Sequence, residues 1–86
     1  MITRKDLNGV IDHMENVAND SGIPRNIRKS VSDAKDRLTN GGQDVDLTSA
    51  IYTLDECLND INMPFHVRPE LMEIISQLER IKEDAK

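Results

Sequence analysis

Apolar residues near the start of the chain fall at Leu7, Val10, Ile11, Met14, Val17 and Ala18. Steps of three and one trace a single face of an α-helix, and they predict a first helix over residues 4–19. Thr3 is placed to cap it, with Asp6 three residues on. Adding forty to the six positions gives Leu47, Ala50, Ile51, Leu54, Cys57 and Leu58, all apolar. A third helix therefore repeats the face of the first. Asp44 or Asp46 is expected to cap its start, where a carboxylate also favours the positive end of the helix dipole.

The second and fourth helices behave alike. Ile27, Val31, Ala34 and Leu38 return as Val67, Leu71, Ile74 and Leu78. From residue 6 to 38, eight of thirty-three positions are identical at an offset of forty. Identity is modest, but ten apolar positions hold register, which reads as an internal duplication of a helical hairpin. The expected fold is all-α: two tandem helical hairpins in one domain, closing into a four-helix, bundle-like packing. The first unit covers residues 3–39, the linker 40–44, the second unit 45–82, and the tail 83–86 is expected to fray. Asn40 or Gly41 is expected to take the left-handed conformation that ends the second helix.

The joints repeat as well. NDSGIPRNIR (19–28) returns as NDINMPFHVR (59–68), with Asn, Asp, Pro and Arg in the same places. Ile23 precedes a proline and is pushed to an extended conformation. Pro24 opens a helix, where its missing N–H is not needed. Asp20 is expected to accept from the free N–H groups at the start of the second helix. Arg28 is expected to reach back to Asp20 or to the last carbonyls of the first helix. Asp60, Pro64 and Arg68 are expected to repeat this wiring. In the second copy Pro69 lies five residues after Pro64 and would interrupt a helix already begun. Residues 64–68 should therefore form a turn or a distorted first turn, with the main helix running from Pro69 to about Lys82. The copies also differ at the elbow itself, Arg25 and Asn26 in one and Phe65 and His66 in the other.

Composition narrows the core. The chain has no tryptophan, one tyrosine and one phenylalanine among 86 residues, so the interior must be aliphatic. The formal charge is −5, which argues against non-specific binding to nucleic acid or to an anionic membrane surface. That acidity is concentrated in the second half: residues 44–86 hold ten Asp/Glu and four Lys/Arg. A single cysteine excludes an intrachain disulfide and fits a reducing compartment. No signal-peptide pattern and no long apolar run occurs, and a cytoplasmic location is expected.

IPRNIR (23–28), NMP (62–64) and the flanking NDSGIP and LDECLND resemble a small archaeal family of uncharacterised proteins, over nearly the whole chain. The resemblance implies an archaeal cytosolic source and a compact helical bundle. It implies no activity and no site residues. The period and the proline opening of the second helix are also similar in wiring to HEAT-like repeats. Such solenoids need about three repeats to cover their faces, so two hairpins should close on each other or pair with a second chain.

Candidate chemistry is sparse. Cys57 occupies the core register of Val17 and reads as a buried small side chain. His13 flanks the first stripe and His66 lies in the second joint, so neither stands at zinc-ligand spacing with it. No catalytic, cofactor or metal site is expected. Gly41-Gly42 lacks the Lys-Ser/Thr ending of a phosphate loop and reads as a linker. Arg25, Arg28 and Lys29 form a basic start to the second helix, interrupted further on by Asp33 and Asp36. A solvated face with an Asp33–Arg37 pair accounts for it. Met72, Ile75 and Ile81 widen the apolar arc of the fourth helix, which then either sits more centrally in the bundle or faces a dimer partner. The functional expectation is a non-catalytic protein–protein interaction module, with a homodimer included. The alternative is an accessory RNA-binding protein using Arg25, Arg28 and Lys29.

Overall fold

Apolar side chains spaced by three and four leave one stripe per helix to hide, and two hairpins of this kind cover one another. The computed structural model describes residues 4–84, with side chains from Leu7 onward. Four helices form: α1 Arg4–Ala18, α2 Arg25–Asn40, α3 Asp44–Leu58 and α4 Arg68–Asp84. No strand occurs among the described residues. Each helix packs on the next and α4 returns to α1, closing a ring in which α1 and α4 are the least intimate neighbours. The bundle measures 36 × 20 × 17 Å. The Thr3–Asp6 cap lies outside the described side chains.

The core lies on the bundle axis. It holds eighteen buried residues, all hydrophobic, and no buried polar or charged group occurs among the described residues. Those eighteen form nine pairs at an offset of forty, from Leu7 and Leu47 through Ile23 and Met63 to Leu38 and Leu78. Each large aliphatic chain removed from water stabilises the fold by roughly 1.5–3 kcal/mol before entropy is counted. Ile11, Ala18, Ile51, Leu58, Ile75 and Ile81 pack part-buried around this centre.

The linker between hairpins differs from expectation in two ways. Gly42, with φ +74°, is the left-handed residue; Gly41 keeps φ −116° and ψ −71° and caps α2 through its N–H to the Arg37 carbonyl. The N-cap of α3 is Gln43 rather than Asp44 or Asp46. Asp46 helps from the third helical position, its carboxylate accepting the Gln43 N–H at 2.9 Å. A side chain on Gly41 would run into that carboxylate, so the glycine leaves room for the cap.

α4 starts at Arg68, one residue before the expected Pro69, which stands in the first turn and does not kink the helix. Residues 65–67 form a turn and the helix begins at Arg68, while α2 begins at Arg25, three positions earlier in register. The cause is local. Pro69 has no N–H to give to the Phe65 carbonyl, and it disfavours helical geometry at Arg68. α4 continues to Asp84, two residues past the expected end.

Candidate functional site

Antiparallel order brings both joints, residues 19–24 and 59–67, to one end of the bundle. Each joint is built on an aspartate, but not as a cap. The Asp20 carboxylate accepts the N–H of Gly22 at 2.9 Å, and Asp60 accepts that of Asn62 at 2.8 Å. These are turns closed two residues on, a geometry short carboxylate chains favour. In both, the residue before the proline donates its N–H to the aspartate carbonyl, Ile23 to Asp20 and Met63 to Asp60. The expected donation from the start of α2 to Asp20 is therefore replaced by a bond within the loop. Pro24 itself is the N-cap residue of α2, and no side chain caps that end.

Arg28 also departs from expectation. Its Nε donates to the Ile23 carbonyl at 2.9 Å, part-buried. That carbonyl is made available because Ile23, preceding Pro24, is held out of the helix. Arg28 thus ties the elbow to α2. Arg68 makes no such bond among the described residues. The second elbow instead takes a cross-link from the first: Asn26 Nδ2 donates to Asp60 Oδ2 at 2.7 Å. Asn26 and Asp60 also border a polar cleft of about 290 Å³ between α2 and α3, with Ser30, Thr53, Glu56 and Cys57. Burial pushes the Cys57 thiol up from its ordinary pKa; a hydrogen bond with Ser30 opposes this, and Asp60 and Glu56 add to it. A thiol so placed is a poor nucleophile.

The two histidines lie elsewhere. His13 Nε2 sits 3.5 Å from Glu70 Oε1, bridging α1 and α4, while His66 is in the second elbow. No group of three His, Cys, Asp or Glu fit to hold a metal occurs among the described residues.

The basic start of α2 is partly engaged. Arg28 is held by Ile23, and Lys29 Nζ lies 3.3 Å from Asp33 Oδ2. Asp33 thereby pairs one turn upstream rather than with Arg37. Of Met72, Ile75 and Ile81, the last two pack part-buried against the core and Met72 is 56% exposed. The most exposed large apolar side chains are ones the apolar periodicity does not single out: Ile61 at 96% and Phe65 at 91%, both in the second joint. Tyr52 and Val45 lie on the outer face of α3. A signal for all four was present in the repeat. Their counterparts forty residues earlier are Ser21, Arg25, Asp12 and Lys5, all polar.

Among the described residues no helix is long and apolar enough to cross a membrane. The sequence pattern described as "Uncharacterised protein family (UPF0147)" matches residues 2–81. A UPF0147 protein of Methanocaldococcus jannaschii, MJ1419, is 41% identical over 78 residues, spanning 88% of this chain and 84% of the relative. A crystal structure of a UPF0147 protein from Thermoplasma acidophilum superposes with a TM-score of 0.85 at 32% identity, over 93% of this chain and 96% of that one. The crystal structure of a protein of unknown function, MMP1188, gives 0.83 at 34% identity, over 92% and 93% of the two chains.

Proposed function

The chain belongs to the uncharacterised archaeal protein family UPF0147, and from that premise we propose that it is a non-catalytic interaction module that docks another protein on its paired elbows. One observation carries the reading. Ile61 and Phe65 stand almost wholly in water at the second joint, and Met72 follows one turn into α4. Large apolar groups left in water cost solubility and are characteristic of recognition surfaces. They serve nothing in the fold, whose core is complete without them. Asp60, Glu70 and Glu73 surround them in sequence, so the fitting partner carries apolar anchors rimmed by Lys and Arg.

The test is photo-crosslinking from position 65 in the native host, followed by affinity measurement with the captured protein. Phe65→Asp and Ile61→Asp should each weaken binding by about tenfold or more with the thermal midpoint unchanged. Binding that survives both substitutions overturns the reading.

RNA is the second reading, favoured by one juxtaposition. Arg25 and Phe65 are equivalent positions of two elbows joined by the Asn26–Asp60 bond, so a cation and an aromatic ring share one end of the bundle. Stacking with a charged neighbour suits single-stranded RNA. A gel shift that weakens steeply with salt and disappears in Arg25→Glu would support it; no shift at low salt removes it.

A further inference from the structure

A different face bears on self-association. Between α1 and α4 runs an open groove of about 380 Å³, bordered by Gly9, Val10, Gln77, Arg80, Ile81 and Asp84. Its lining sets two aliphatic residues, Val10 and Ile81, beside one cation, Arg80, and one anion, Asp84. Gly9 stands inside α1, where a glycine weakens a helix relative to alanine. Nothing within the chain explains it, because a Cβ added there meets no atom within 4 Å. Arg80 and Asp84 are one turn apart on α4, yet they form no ion pair with each other or with any other described residue.

We propose that a second copy of this chain occupies the groove, α4 lying against its two-fold mate with the backbone at Gly9 approached closely. The charges choose this occupant. A two-fold axis crossing α4 midway between Arg80 and Asp84 sets each arginine against the other copy's aspartate, so one surface complements itself. Ile81, part-buried above the core residue Val10, forms the apolar centre of the contact, and the missing side chain of Gly9 lets the helices close.

Sedimentation equilibrium of the full chain from about 1 μM to about 1 mM tests it. A concentration-dependent dimer is expected. Arg80→Glu alone and Asp84→Lys alone each place like charges across the axis and should weaken self-association by about tenfold or more. Mixed together, the two variants should form a heterodimer as tight as the wild-type dimer, because every cross-axis pair is again opposite in sign. Gly9→Trp, at an exposed position, should fold with unchanged helicity and sediment as a monomer. A wild-type chain that stays monomeric overturns the proposal. So does a dimer that Gly9→Trp leaves intact, or a pair of charge variants that fails to recombine. Phe65→Asp should not change the dimer, which separates this face from the elbows.

Discussion

At position 25 the first elbow presents an arginine, and at the equivalent position 65 the second presents a phenylalanine that is 91% exposed. The same exchange runs across the whole second hairpin. Asp12 gives way to Tyr52, Ser21 to Ile61 and Ser32 to Met72, each of the three apolar residues being exposed. Inside, nothing comparable happens, since every buried position of one hairpin is buried in the other. Packing tolerates little variation in the core, while the exterior is free to differ. Two hairpins of one plan therefore carry different surfaces, and the difference is where a function specific to one of them can reside.

The interior match is not interchangeability. Ala34 and Ile74 occupy equivalent buried sites, but the bundle has fitted a small side chain in one and a large one in the other. Ile74→Ala, which copies the first hairpin into the second, should destabilise the protein by about 2–5 kcal/mol through the cavity it leaves. Ala34→Ile, the converse, should cost about 1–3 kcal/mol by overpacking. Urea denaturation reads both. If Ile74→Ala costs under about 1 kcal/mol, the two hairpins pack more alike than their side-chain volumes imply.

The elbows offer a sharper contrast, because one arginine is engaged and its copy is not. Arg28→Ala removes a charge-assisted bond to the Ile23 carbonyl and should cost about 1–3 kcal/mol. Arg68→Ala should stay within about 0.5 kcal/mol of wild type. Equal losses at both positions would mean that Arg28 contributes no more than an ordinary surface side chain.

Much of this was legible in the apolar spacing. Four helices, the register of both hairpins, the late start of α4 next to Pro69 and the burial of Cys57 all follow from periodicity and from proline's missing N–H. The partners of polar side chains were not legible. Asp20 had several N–H groups within a few residues, and sequence spacing cannot choose between a turn closed on Gly22 and a cap on α2. Asp33 had a cation one turn to either side. Gln43 became the cap because Gly42 took the left-handed turn, a choice made by the linker's path. The Asn26–Asp60 bond joins residues thirty-four apart and depends on two elbows meeting at one end. The spacing left open whether Ile75 and Ile81 face the bundle or a second chain, because a helical wheel does not show the neighbouring helices; both pack part-buried against the core.

The smallest effect separates Cys57 from Val17, its buried counterpart. A valine does not titrate, whereas the thiol's folded pKa is raised, chiefly by burial. A group whose folded pKa lies above its unfolded value adds stability that is fully present below the unfolded pKa. That stability is lost as pH rises through the folded pKa. The wild-type protein should therefore lose stability in the alkaline range, as the unfolded chain releases a proton that the folded chain still holds. Cys57→Val should flatten this part of the curve while leaving neutral-pH stability nearly unchanged, the side chains being similar in size and both apolar in character. Thermal midpoints of the two proteins, followed in parallel from neutral to alkaline pH, should diverge only at the alkaline end. If they fall together throughout, the thiol is not held protonated by its burial, and the two sites are equivalent in charge as well as in register.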